Sequence, residues 1–229
     1  MFYFREAGWG SFAETYSANP HETFDFGATG GTGRQLTEQA LAQGHRVTAF
    51  VRTPGKLTLT HPQLRVAAGD VFNYEAVRQA MPGHDAVLST LGAPPSQREP
   101  VRSVGTDHII RAMEDAGVRR FICLTTLGMG DSRPALPWLY QYILVPLLLR
   151  AAFADSERQE ARIRQSALDW IIARPGTLTD GPRTGHYQHG FPPTTKGLSM
   201  RISRADVADF MLRQLADSHY LRQAVSLSY

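Results

Sequence analysis

The sequence contains very little cysteine. Among 229 residues there is one, Cys123, which lies within an apolar run. A single cysteine cannot form an intramolecular disulfide, so the chain is not a disulfide-stabilised scaffold, and a reducing, cytoplasmic location is expected. A cysteine in such a run is more often a small buried hydrophobic residue than a nucleophile, and we assign it no catalytic role.

Long hydrophobic runs and blocks of like charge are also absent. The most apolar segment, residues 136–149, is interrupted by Pro137, Gln141 and Pro146 and is short for a membrane span. We interpret it as a buried or interface segment. The formal charge of +3 comes from basic residues interspersed with acidic ones, so neither nucleic acid nor a membrane is expected as a partner. Residues 1–21 show no secretory signal.

Strand-like and helix-like runs alternate from residue 23 to the C-terminus, which predicts an α/β fold with a doubly wound parallel sheet. With 42% hydrophobic residues, the chain can form one well-buried domain, at residues 22–229. Residues 1–21 fall outside the alternation and are predicted to be an extension, poorly ordered or laid over the surface. The predicted strands are 23–26, 45–51, 64–67, 86–91, 120–126, 170–173 and 224–227.

The most informative segment is a glycine-rich loop, FGATGGTGR, at residues 26–34 after the first predicted strand. Gly27 permits a tight turn, and Gly33 allows close packing of helix and strand. Gly30 or Gly31 lets the backbone approach a pyrophosphate, which the N–H groups and the positive dipole end of the following helix hold. The loop therefore predicts a dinucleotide site, with an ordinary glycine-rich turn as the alternative.

The end of the second predicted strand bears on the choice between NAD and NADP. In this fold an acidic residue there accepts from the 2′-hydroxyl of NAD, whereas a cation suits the 2′-phosphate of NADP. The strand ends at residues 49–52 with the sequence AFVR and no acidic residue. We therefore expect NADP(H), with Arg52 on the 2′-phosphate and Arg34 assisting; a solvated loop cation is the alternative for Arg52.

Small and polar residues end the next three strands at the edge of the sheet where ligands bind in such folds. Asp70 is expected to accept from the adenine amino group, and Val71 to pack on the ring. Gly92 lets the backbone pass close to the cofactor, and the fifth strand ends in hydroxyl groups. The predicted cofactor-binding residues are Gly27, Thr29, Gly30, Gly31, Thr32, Gly33, Arg34, Arg52, Asp70, Val71, Leu91, Gly92, Thr125 and Pro175.

In their order along the chain, these segments resemble the atypical short-chain dehydrogenase/reductase superfamily. The matching motifs are GATGGTG at 27–33, VR at 51–52, GDV at 69–71, STLGAP at 89–94, LTTLG at 124–128, DWIIARPG at 169–176 and ISRADVA at 202–208. Together they are similar to the small NAD(P)H-binding group that includes biliverdin reductase B (a flavin reductase) and NmrA-like proteins. The resemblance implies a Rossmann-type sheet of strand order 3-2-1-4-5-6-7, with a substrate cleft over the nicotinamide.

The catalytic set of the full short-chain dehydrogenases is incomplete in this chain. Those enzymes pair a hydroxyl after the fifth strand with Tyr-x-x-x-Lys, in which the lysine lowers the tyrosine pKa. Thr126 matches the hydroxyl, and Tyr140 lies about where the tyrosine is expected. The two lysines of the chain, Lys56 and Lys196, both lie outside that segment. Thr126 and Tyr140 remain candidate catalytic residues, but ordinary alcohol–ketone chemistry is not expected.

A reductase without the Tyr–Lys pair can still deliver hydride to an acceptor that needs little acid help, such as a flavin, a quinone or a conjugated tetrapyrrole. The predicted function is an NADPH-dependent oxidoreductase acting on such a small planar acceptor, as a monomer or homodimer. The alternative, implied by NmrA-like proteins, is a non-catalytic NADP(H)-binding redox sensor. The predicted cleft walls include Leu127, Met129, Trp138, Phe153 and Tyr187.

Three titratable side chains require a structural explanation. His186 and His189 lie in a loop rich in glycine and proline, and we expect them on the substrate side as candidate proton donors rather than metal ligands. Asp25 lies inside the first strand, which should be buried on both faces, where an unpaired carboxylate is costly.

Overall fold

The computed structural model describes residues 20–92, 99–135 and 140–229. Its strands are β1 (Glu22–Phe26), β2 (Arg46–Val51), β3 (Leu64–Ala68), β4 (Ala86–Ser89), β5 (Arg120–Leu124), β6 (Asp169–Pro175), β7 (Thr177–Thr179), β8 (Gln188–His189), β9 (Arg201–Ser203) and β10 (Gln223–Ser228). Its α-helices are α1 (Gly31–Ala42), α2 (Tyr74–Ala80), α3 (Val101–Ala116), α4 (Arg150–Gln165) and α5 (Arg204–Arg213). Two short 3₁₀ helices (Pro54–Lys56 and Gly130–Ala135) and a π-helix (Tyr140–Leu149) complete it.

The main sheet has the strand order β3-β2-β1-β4-β5-β6-β10-β8, which confirms the predicted doubly wound topology. β10 takes the place of the predicted seventh strand and runs parallel to β6. β8 pairs antiparallel with β10 and was not predicted, because its two residues carry no periodic signal. A separate two-stranded sheet, in which β7 and β9 run parallel, was also not predicted.

The helices cover both faces of the sheet, as a parallel sheet requires. On one face α1 and α5 pack through residues such as Leu36 and Met211. On the other face the core contains Val77 of α2, Ile109 of α3 and Ile163 of α4. This two-sided burial leaves the carboxyl ends of the central strands as the edge where a ligand can approach.

Asp25 is buried under α1, on the opposite face of β1 from Phe24 and Phe26. It is 1% exposed, and its Oδ2 accepts a hydrogen bond from Thr37 Oγ1 at 3.4 Å, while Oδ1 has no partner among the described residues. Burial raises the pKa of this carboxyl to about 7, although Thr23 and Thr37 lower it in part. The fold therefore does bury the Asp25 carboxyl group in β1 with one oxygen unpaired among the described residues, as the sequence suggested.

The apolar segment after β5 forms the π-helix between residues 140 and 149. Its Tyr142 and Leu147 side chains are exposed, at 69% and 75%. These two exposed side chains do not agree with the prediction of a buried segment. That the segment forms an interface stays a prediction. Among the described residues, no helix combines the length and apolar character needed to cross a membrane. The predicted extension, residues 1–21, lies outside the described residues apart from Pro20 and His21.

Candidate functional site

The carboxyl ends of β1, β2, β4, β5 and β6 surround a cleft of about 650 Å³. We call it the cofactor cleft, because the glycine-rich loop forms its floor. Thirteen residues singled out from the sequence line it: Gly27, Thr29, Gly30, Gly31, Thr32, Gly33, Arg52, Val71, Leu91, Gly92, Thr125, Thr126 and Pro175. Residues predicted at the ends of six separate strands, β1 to β6, are thus brought together in one place.

The loop geometry explains why glycine is required at two of its positions. Gly27 has φ +93°, a conformation that residues with a side chain rarely adopt. A Cβ on Gly33 would lie 2.1 Å from the carbonyl oxygen of Gly27, so only glycine fits there. At the start of α1, the N–H groups of Gly31 and Thr32 have no acceptor among the described residues. These free donors and the helix dipole suit a bound anion.

Two predicted cofactor residues do not line the cofactor cleft. Arg34 forms an ion pair with Glu38 at 2.8 Å along the surface of α1. Asp70 Oδ1 accepts from the backbone N–H of Phe72 at 3.0 Å and so stabilises the turn after β3. Their predicted contacts with the cofactor stay predictions. The side chain of Tyr140 lies outside the part of the chain that the structure describes, as does Trp138.

The two histidines singled out from the sequence do not line the cofactor cleft. His189 Nδ1 lies 2.7 Å from the hydroxyl oxygen of Tyr220, and burial lowers the pKa of this histidine. The Tyr187 hydroxyl donates to Asp209 at 2.7 Å, and burial next to this carboxylate raises the tyrosine pKa. This loop therefore packs against α5 rather than on the substrate side, and the expectation for His186 and His189 is not supported.

Two arginines that were not predicted also line the cofactor cleft: Arg102 on α3 and Arg204 on α5. Burial lowers the pKa of the Arg102 guanidinium, and the nearby charge of Asp155 offsets this effect only in part. Together with Arg52, they give this cleft three cations, while no described lining residue is acidic. Such a cleft fits a ligand with several negative charges. Arg204 lies in the ISRADVA motif, which could have identified it as a candidate site residue, whereas no sequence motif includes Arg102.

A buried ion pair holds the β5 and β6 ends of the cleft. Arg174, which is 1% exposed, donates through Nε and Nη2 to the two carboxylate oxygens of Glu160, at 2.9 and 2.5 Å. Asp131 accepts from Nη1 at 2.7 Å. Burial alone would lower the Arg174 pKa, but these hydrogen bonds outweigh burial and raise it. Thr125 Oγ1 also donates to Glu160, at 2.8 Å, so its hydroxyl can only accept from a ligand.

A second cleft, of about 490 Å³, adjoins the first, and we call it the acceptor cleft. The two clefts share Thr126, Pro175 and Gly176. The other lining residues are four apolar side chains, two hydroxyl side chains and one arginine: Leu127, Leu149, Phe153, Met200, Thr177, Ser199 and Arg201. Among the described residues that line it, none has a side chain that titrates near neutral pH. Met129, predicted as a wall, is instead buried.

Comparison with known proteins agrees with this geometry. A family model described as NAD(P)H-binding matches residues 27–218. This range includes the glycines of the glycine-rich loop and strands β2 to β9. The chain belongs to this NAD(P)H-binding family. The likeness to atypical short-chain dehydrogenases/reductases expected from the motifs is thereby confirmed. A nicotinamide cofactor fits the free N–H groups, the glycine cradle and the three arginines of the cofactor cleft.

Three known proteins are similar to this chain over most of their length. The Saccharomyces cerevisiae UPF0659 protein YMR090W is 28% identical over 86% of this chain and 88% of its own. Reductase pytE of Aspergillus terreus is 26% identical over 93% and 99%. The structure of ChuY, an anaerobillin reductase from Escherichia coli O157:H7, is 30% identical over 90% and 96%, with a TM-score of 0.74. Other relatives are longer, and the chain spans 62% and 29% of two of them.

Proposed function

We propose that the protein is an NADPH-dependent reductase of a planar conjugated acceptor, with NADPH in the cofactor cleft and the acceptor in the acceptor cleft. The observation that carries the proposal is the shared boundary of the two clefts at Thr126, Pro175 and Gly176, combined with the apolar, non-titrating lining of the second. No described residue of this lining has a side chain that can protonate a bound acceptor near neutral pH. The acceptor must therefore take up hydride without a proton from these side chains.

Arg52 supports NADPH over NADH. It lies in the cofactor cleft directly after β2 and is exposed, with no ion-pair partner among the described residues. The guanidinium can donate two parallel hydrogen bonds to a phosphate, and no acidic residue of the lining is placed to accept from a 2′-hydroxyl.

The residues around the junction of the two clefts bind the cofactor and the acceptor and orient them. The bound cofactor supplies the hydride, and the protein controls where the two rings meet. Thr125 presents an acceptor oxygen because its hydroxyl hydrogen is donated in the hydrogen bond to Glu160, which suits the N–H groups of a carboxamide. Leu127 and Phe153 offer apolar surface to a planar ring and exclude water from it. The proton that follows the hydride comes from solvent.

A fluorescence titration followed by acceptor screening tests the function. We expect the purified protein to bind NADPH more tightly than NADH and to oxidise NADPH with at least one of three acceptor classes: a flavin, a quinone or a linear tetrapyrrole. Binding of NADPH without turnover of any class would contradict the reductase and favour the redox sensor. Failure to bind either nucleotide would contradict both.

Thr125→Val tests the role of the Thr125 hydroxyl, which lines the cofactor cleft next to the junction. Because one neutral hydrogen bond is lost, we expect the Kd for NADPH to rise about 3- to 10-fold. The melting temperature should change little, since Glu160 keeps its bonds to Arg174. Thr58→Val, an exposed position outside both clefts, is the matched control. An unchanged Kd in Thr125→Val would remove this threonine from the cofactor site.

A further inference from the structure

Arg204 reaches the cofactor cleft from the far end of the chain. It is the first residue of α5 and follows β9 directly. β9 is held by its pairing with β7, in which Thr179 lies beside Ser203. Ser203 then caps α5, because its Oγ accepts from the N–H of Asp206 at 3.0 Å. The small β7–β9 sheet and this cap therefore fix the backbone position of Arg204.

The Arg204 side chain lies directly over the glycine-rich loop. A Cβ built on Gly31 would lie 2.8 Å from Arg204 Cδ and 2.9 Å from its Nε. Any other residue at position 31 would therefore force the arginine side chain to shift. Gln39 of α1 donates to the carbonyl oxygen of Ala205 at 2.9 Å, which ties the first turn of α5 to the helix that follows the loop. The glycine at 31 thus leaves space for the arginine as well as for a ligand.

Part of the guanidinium is available for a ligand. Arg204 Nη1 donates to Asp180 Oδ1 at 2.5 Å. Its Nε and Nη2 have no partner among the described residues, and the side chain is 28% exposed within the lining of the cofactor cleft. Asp180 is 88% exposed, so this ion pair contributes little to stability. Its effect is to orient the remaining donors.

We propose that Arg204 donates to the diphosphate of the bound dinucleotide from above the glycine-rich loop, with Asp180 orienting its guanidinium. The inference rests on the proposed NADPH site. The diphosphate is the relevant group because the free N–H groups of Gly31 and Thr32 lie beneath the same arginine. Arg52, at the end of β2, remains the partner of the 2′-phosphate. The diphosphate is then held between helix donors below and a guanidinium fork above.

Fluorescence titrations of Arg204→Gln with three nucleotides test this contact. NADPH and NADH both carry the diphosphate, whereas adenosine 2′-monophosphate does not. We expect the Kd values for NADPH and NADH to rise by the same factor, about 10- to 100-fold, while that for adenosine 2′-monophosphate stays unchanged. Arg204→Lys should recover part of the loss, since it keeps the charge but not the fork.

Arg119→Gln is the matched control, because Arg119 also pairs with an aspartate at the surface but lines neither cleft. Its nucleotide affinities should equal those of the wild type. A wild-type Kd retained in Arg204→Gln would overturn the inference and leave the proposed function intact. A loss confined to NADPH would place Arg204 on the 2′-phosphate, and a loss that includes adenosine 2′-monophosphate would show a structural role. Both results overturn it. A wild type that binds neither dinucleotide overturns the proposed function as well.

Discussion

Arg52→Asp is expected to weaken NADPH binding by about 100-fold and to leave NADH binding within a few-fold of the wild type. The variant removes two charge-assisted hydrogen bonds and places a carboxylate beside the 2′-phosphate, where like charges repel. The same carboxylate can accept from the 2′-hydroxyl of NADH, which offsets any loss for that nucleotide. Fluorescence titration with both nucleotides on one sample measures the ratio of the two Kd values directly.

Arg65→Asp controls for the change in net charge. Arg65 is an exposed arginine on the neighbouring β3 and lies outside the cofactor cleft. It should weaken both nucleotides slightly and equally, through the long-range field alone. If Arg52→Asp lowers the NADPH and NADH affinities by equal factors, Arg52 does not bind the 2′-phosphate and the preference for NADP is wrong.

Asp25→Asn is expected to stabilise the protein relative to the wild type by an amount that grows with pH. The carboxyl has a pKa of about 7 in the folded protein and 3.8 as its ordinary value. The folded state therefore binds the proton more tightly, and the carboxyl lowers stability as pH rises from about 4 to about 7. A shift of this size corresponds to about 4 kcal/mol, reached in full above pH 7. The asparagine has no charge to bury.

Urea unfolding of both proteins at pH 5 and pH 8 measures this effect. Only the change in their stability difference between the two pH values matters, because any fixed cost of burying the amide is the same at both. The variant should gain on the wild type by about 2 to 4 kcal/mol over that interval. Asp115→Asn, at an exposed position on α3, should show no such gain. A difference that does not vary with pH would show that Asp25 titrates normally.

Most of the fold could be predicted because its signals are local. Apolar runs separated by polar and glycine residues define elements from a few neighbouring residues, and the seven predicted strands lie within two residues of the observed ones. The parallel direction of the strands then follows from the alternation of strands and helices, whereas their order was implied by the family resemblance. β8 and the β7–β9 pair could not be predicted, because two- and three-residue strands exist only through the partner that pairs with them.

The candidate site divides in the same way. The glycine-rich loop and Arg52 were predicted because they follow consecutive strands of one β–α–β unit. Arg102 on α3 and Glu160 on α4 were missed, because charged residues on helices usually face solvent, and Arg174 on β6 was missed with its partner. The packing of the histidine loop on α5 could not be predicted for a related reason: a loop rich in glycine and proline does not indicate which helix it packs against.

The sequence by itself determined the alternation of strands and helices, the glycine-rich loop and the absence of a Tyr–Lys pair, since each depends on residue type and spacing along the chain. The strand order was implied by the resemblance to a known family. Only the tertiary structure decided which distant side chains share a cleft. Arg204 lies over Gly31 because β9 pairs with β7 and α5 packs on α1. Asp25 is buried because α1 covers it, and its raised pKa is a consequence of that packing rather than of its neighbours in sequence.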